Sequence, residues 1–290
     1  PTIEEPAKMF NDDNWDYDTF YEFCVKCQNA LNSTYGYDES GNPLYYVLGG
    51  YPAYYWQLMT ESSGVIISDT TSFKINITGD VETQTADLLK KMYTEGLMDP
   101  KVAVDKQDCA WINGRGIFNT GEYWFVNDSL RYAEDLWGEG EATQYGYVPY
   151  PAQPGTHKED YKFGDFGGQT WVMPTGRNYQ GYGEECTAEN IYYAMVTYLQ
   201  RKKNTYRESE EYNEDNILTI EASKYFATTE SIKAFVYMNK NAKTMGFYDP
   251  MSYANNNVAS MYDSEFAKSI NAYIMNTGAA SWAEAVAIYQ

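Results

Sequence analysis

Leu44 to Leu48 reads as a short buried strand and Trp111 to Phe118 as a turn feeding another, and each is followed within a few residues by glycine and a knot of aromatic rings. The first continues as Gly49-Gly50-Tyr51-Pro52-Ala53-Tyr54-Tyr55-Trp56, the second as Gly121-Glu122-Tyr123-Trp124. Helical periodicity lies between and around them, and strands that alternate with helices predict an α/β layer structure with a largely parallel sheet. In such sheets ligands collect beyond the carboxyl ends of the strands, the position that both aromatic knots take in the sequence.

The helical segments carry their own punctuation. Asp16 reads as the N-cap of a helix whose Phe20, Phe23, Cys24, Cys27 and Leu31 share one face. Val65 to Ile67 and the alternating Phe73, Ile75 and Ile77 predict a small hairpin around the polar Ser68 to Ser72. Asp80 is expected to cap a helix through Val81, Thr85, Leu88, Leu89 and Met92 that stops at Gly96. Tyr145 to Pro151 predicts a strand closed by proline, and the polar stretch Ala152 to Asp160 a crossing between lobes. Thr187 caps a further helix, Arg201 to Asn216 reads as a charged surface excursion, and two more helices centre on Phe235 and Ile270. Ser281-Trp282-Ala283-Glu284 is a capping box for the last one.

Composition narrows the function classes. Lys plus Arg total 21 against 41 for Asp plus Glu, a formal charge of −20 that repels nucleic acid and anionic membranes. Aromatic residues make up 17 %, including 30 Tyr and 7 Trp, and rings that join an apolar face to a polar edge suit sugars as well as cores. Cys24 and Cys27 form a CxxC without a second pair, and His157 is the single histidine. A four-ligand zinc site would need both Cys109 and Cys186, so the helical spacing favours two thiols packed in a core. Asp12, Asn14 and Asp16 lack the glycine and distal glutamate of a calcium loop.

The order of these motifs resembles the extracellular solute-binding proteins of the maltose-binding type. Trp15-Asp16-Tyr17-Asp18-Thr19-Phe20 is similar to the family's W-T-W-D-E-F helix entry, and Trp111 to Trp124 to its F-x-N-G-K-A-A-M-x-x-x-G-x-W stretch. Tyr145 to Pro154 looks like the G-x-x-P-x-P-x-G-P-G segment, and Gly167 to Pro174 like the G-G-x-x-x-x-I-P strand after it. Two departures stand out: Gly116-Ile117 replaces small alanines, and the chain opens directly at the Trp15 helix where the family has a whole lobe segment.

The resemblance implies a periplasmic-binding-protein-like α/β fold of type II, with the second lobe largely complete and the first partial. Residues 1–151 would be the second lobe, 152–246 the returning, mostly helical segment of the first, and 247–290 a helical tail packed on the 1–151 lobe. It also implies a sugar held in a cleft between lobes that closes by hinge bending. The stacking rings would be Tyr51, Tyr54, Trp56, Tyr123 and Trp124. Glu122, Asn119 or Gln57 would take hydroxyls, Asp165, Gly167 and Trp171 would lie on the hinge side, and Tyr262 would add another ring. Expected partners are a carbohydrate and the permease subunits of an ABC importer. No cofactor or metal is implied, and the location would be extracellular, cell-surface (lipid-anchored in full length) or periplasmic, as a monomer. Two other classes stay open at this point, a glycan-adhesion module and a glycoside hydrolase, although no carboxylate pair is singled out for hydrolysis.

Overall fold

The computed structural model describes residues 5–65, 68–69, 74–101, 115–118, 146–164, 187–207, 218–220, 222–223, 226–241, 246–247 and 264–289. Two compact units emerge, Pro1–Phe166 with Ala222–Gln290 as the first and Gly167–Glu221 as the second.

The first unit opens with α1 (Pro6–Asn11), whose proline stands at the helix start where its missing N–H costs nothing. Helix α2 (Tyr17–Tyr35) begins at the expected cap: the Asp16 carboxylate accepts the Thr19 amide at 2.9 Å, and the Thr19 hydroxyl accepts the Asp16 amide in return. Its buried face carries Phe20, Phe23, Cys24 and Cys27, as the spacing predicts. Both cysteines are free thiols within the apolar core. Burial pushes the Cys27 thiol up to about 11 and Cys24 well above the ordinary value, so neither supplies a thiolate near neutral pH.

Strand β1 (Tyr46–Leu48) is buried along its whole length. Helix α3 (Pro52–Ser62) follows after Gly49 and Gly50, then the paired arms β2 (Ser68–Asp69) and β3 (Lys74–Ile75), then α4 (Asp80–Thr94). The hairpin is shifted from expectation: Ser68 and Asp69 pair with Ile75 and Lys74 and so belong to an arm, not to the loop. Gly79, not Asp80, is the N-cap of α4, and Asp80 lies one position inside, where the positive end of the helix dipole favours its charge. Strand β4 (Gly116–Phe118) runs parallel to β1 in the register Tyr46↔Gly116 and Leu48↔Phe118. On the other side of β1 a parallel bridge joins Leu48 to Met98, with the Leu48 amide donating to Leu97 O and the Asp99 amide to Leu48 O, each at 2.9 Å. β1 is therefore flanked on both sides.

Residues 146–151 form no strand. Trp15 Nε1 donates to Pro149 O at 2.8 Å, Tyr17 N to Ala152 O at 2.9 Å, and the Tyr161 hydroxyl bonds Trp15 O. The segment read as a crossing between lobes thus lies against the α1–α2 connection. The short pair β5 (Phe163–Gly164) and β6 (Gly246–Phe247) is parallel. In the second unit, α5 (Ala188–Arg207) starts at Thr187, whose hydroxyl accepts the Asn190 amide at 3.1 Å. The helix runs through Arg201 to Arg207, which the sequence placed in a surface excursion.

Returning to the first unit, α6 (Thr229–Lys240) docks on α1, with Asn11 Nδ2 donating to Glu230 O at 3.0 Å. Helix α7 (Glu265–Ile274) buries Phe266, Ala267, Ile270, Tyr273 and Ile274 against α3 and α4. The last helix, α8 (Trp282–Val286), is capped by Ser281, and Trp282 Nε1 donates to Ile77 O at 2.6 Å. Among the described residues no helix is long and apolar enough to cross a membrane.

Candidate functional site

The site begins at the carboxyl end of β1. Gly50 takes φ 92, a left-handed conformation that glycine adopts without steric cost, and this turns the chain from strand into helix. The Gly49 amide donates to Phe118 O at 2.7 Å, tying the ends of β1 and β4 together, while the Tyr55 hydroxyl reaches back to Gly49 O at 2.8 Å. Helix α3 then starts with Pro52, and the run is helical from that point. Its first amides lack a local side-chain cap; instead Asn271 of α7 accepts the Ala53 N–H at 2.9 Å across 218 positions of sequence.

Helix periodicity sorts the rings of this run. Pro52, Ala53, Tyr55, Trp56, Gln57, Met59, Thr60, Glu61 and Ser62 are buried, so α3 is enclosed on nearly every side. Tyr51, Tyr54 and Leu58 are half-buried and stand at the three- and four-residue spacing of a single stripe. Tyr51 and Tyr54 meet edge to face, centroids 6.2 Å apart and planes at 67°. Among the described residues, these two of the expected stacking rings keep surface to offer.

Trp56 does not. Its exposure is 0 %, its ring packs on Phe266 at 5.9 Å and Trp282 at 5.1 Å, and its indole N–H is spent on Glu82 O at 3.0 Å. A ring so enclosed has no face for a sugar; the helical phase that opens Tyr51 and Tyr54 turns Trp56 inward. Gln57 is likewise buried, its amide donating to Glu61 Oε1 at 2.8 Å, so it presents no group to an incoming hydroxyl. Asn119, Glu122, Tyr123, Trp124, Asp165, Gly167, Trp171 and Tyr262 lie outside the described residues.

The sequence reading missed Leu58 and Asn271. Leu58 follows Tyr54 by one helical turn and could have been found had Pro52 been read as a helix start. Asn271 carries no local signal. Phe118 is half-buried at the end of β4 and touches Phe20 and Phe23 edge to face at 6.0 and 5.6 Å, which anchors that strand to α2. Among the described residues no group of three or more His, Cys, Asp or Glu side chains could hold a metal ion. Comparison of the chain with protein-family models, with curated proteins and with solved structures finds no match.

Proposed function

We propose that this chain belongs to the substrate-binding subunit of an ABC importer, a protein that captures a sugar or oligosaccharide outside the cell and hands it to a membrane permease. The supporting observation is the parallel pairing of β1 with β4, in the register Leu48↔Phe118. Parallel strands end at a common edge, so the chain leaves Leu48 and Phe118 on the side where α/β sheets take their ligands. The half-open stripe of Tyr51, Tyr54 and Leu58 supplies ring area at that edge.

In this reading Glu122, Tyr123 and Trp124 join Tyr51 and Tyr54 around the sugar, with Asp165, Trp171 and Tyr262 as further contacts. The lobes belong to a periplasmic-binding-protein-like fold of type II. Aromatic faces stack on the C–H faces of the pyranose while carboxylate and phenol groups take its hydroxyls. The protein binds and releases without breaking a bond.

Calorimetric titration with maltotriose, xylotriose, cellotriose and galactobiose, followed by chromatography of the recovered sugar, tests the proposal. At least one sugar binds, is recovered intact, and loses roughly tenfold or more in affinity with Tyr51→Ala or Tyr54→Ala, about 1.4 kcal/mol per decade. Cleaved product, or binding to insoluble polysaccharide alone, would replace it with a hydrolase or an adhesion module.

A further inference from the structure

At the opposite end of β1 the chain brings two tyrosines face to face. Gly36 at φ 78 ends α2 with a turn that glycine takes without steric cost, and residues 36–44 then form a small hairpin with an antiparallel bridge Tyr37↔Pro43. Asp38 organises its tip, accepting the Ser40 and Asn42 amides at 2.8 Å each. The returning Leu44 amide donates to Gly36 O at 3.3 Å, which sets Tyr35 and Tyr45, the residues on either side of that bond, next to each other. Gln28 of α2 holds the return arm, donating to Tyr45 O at 2.8 Å and accepting the Val47 amide at 2.9 Å.

Tyr35 and Tyr45 stack with centroids 3.9 Å apart and planes 26° from parallel, so the faces of the two rings are in van der Waals contact. Other tyrosine pairs of the molecule are built differently. Tyr51 and Tyr54, Tyr55 and Tyr150, and Tyr192 and Tyr193 meet edge to face, with centroids 6.2, 6.0 and 6.0 Å apart and planes at 67°, 74° and 67°. Tyr35 is 49 % exposed and Tyr45 half-buried, so solvent reaches the stack. Tyr37 is 56 % exposed on the hairpin arm and is not part of the stack.

From this contact we infer an oxidative modification site, at which a peroxide-fed one-electron oxidant joins Tyr35 and Tyr45 as dityrosine. Each phenol gives up one electron and its hydroxyl proton, and the unpaired electron spreads onto the ring carbons beside the oxygen. The two radicals pair their electrons in a single bond between such carbons, and the hydrogens displaced there return to the oxygens, restoring both hydroxyls. Two phenols and one hydrogen peroxide thus yield one dityrosine and two waters. Coupling requires ring contact, so a preformed stack favours it over pairs that must first reorient. The bond closes the loop from 35 to 45 and fastens the hairpin to the end of α2, which restricts the unfolded chain. The inference does not depend on the importer reading, because this pair precedes β1 and the Tyr51 and Tyr54 stripe follows it.

Brief treatment of the dilute whole chain with a haem peroxidase and hydrogen peroxide tests it, read by dityrosine fluorescence, intact mass and peptide mapping. The monomer should lose two hydrogen atoms, with the peptides that carry Tyr35 and Tyr45 joined. Tyr35→Phe and Tyr45→Phe keep a ring in the stack but lack the hydroxyl, and each should abolish that joined peptide, while Tyr37→Phe leaves it in place. Treatment in concentrated urea, which undoes the stack, should remove the preference for this pair. The importer reading is untouched by any of these results, since it is tested by sugar titration at Tyr51 and Tyr54. A bond mapped chiefly to other tyrosines, linkage between chains alone, the same preference in the unfolded chain, or no dityrosine at all would each overturn the inference.

Discussion

Helix α3 has two faces made from the same kinds of residue, and they have opposite fates. Trp56 and Tyr55 are sealed in the core, with their polar atoms committed to the backbone at Glu82 and Gly49. Tyr51 and Tyr54, on the remaining stripe, are half-open and touch each other edge to face. A step of one or two residues in helical phase separates the buried rings from the half-buried ones. An aromatic run is therefore evidence of a binding surface only after its secondary structure is known, because 100° per residue decides which rings can be reached.

Trp56→Ala is the severest test of this contrast. It removes a fully buried indole and should cost about 3–5 kcal/mol in urea unfolding; a loss below about 1 kcal/mol would show that the ring is not core at all. Asn271→Ala comes next, leaving the Ala53 N–H without its acceptor at a cost of about 1–3 kcal/mol. This variant should weaken sugar binding as well, since the start of α3 carries Tyr51 and Tyr54. Tyr51→Ala and Tyr54→Ala should each cost only about 1 kcal/mol of stability, as half-buried rings, while abolishing most of the affinity. Equal stability losses at Tyr54 and Trp56 would erase the distinction between the faces.

The smallest effect lies at a surface contact away from α3. His157 Nδ1 meets Asp13 Oδ2 at 2.6 Å, and this hydrogen bond, with the Asp13 charge, raises the imidazole above its ordinary 6.5. A raised histidine pKa means that the contact contributes fully below 6.5 and is lost as pH rises through the folded-state value. As His157 is the single histidine, its NMR titration should show a midpoint above 6.5 that falls back towards 6.5 in Asp13→Asn. An unchanged midpoint in that variant would assign the shift to Glu159 and Asp160 instead.

Local chemistry made the Asp16 capping box, the buried face of α2, the Ser281 cap and the β1 and β4 strands legible in the sequence, because each rests on residues a few positions apart. The shifted hairpin was not legible, since polar Ser68 and Asp69 carry no strand signal and their pairing is set by the partner arm. Residues 146–151 were misread for a related reason: an extended stretch with two prolines looks like a strand, but Pro149 O bonds the Trp15 indole and the Tyr147 amide the Ser231 hydroxyl rather than a sheet. For the candidate site, the sequence placed the aromatic run after a strand but could not separate the half-buried Tyr51 and Tyr54 from the buried Trp56 and Gln57. The proline that starts α3 sets the helical phase that divides them, and the sequence reading assigned the run no helix.

The amide of Asn271 closing a helix that begins more than two hundred residues earlier has a consequence for biogenesis. While the polypeptide is still leaving the ribosome, the turn at Gly50 can form, but the Ala53 amide stays open to water until Asn271 emerges. Emergence of α7, and not synthesis of the aromatic run itself, is the moment at which the start of the helix that carries Tyr51 and Tyr54 becomes fixed.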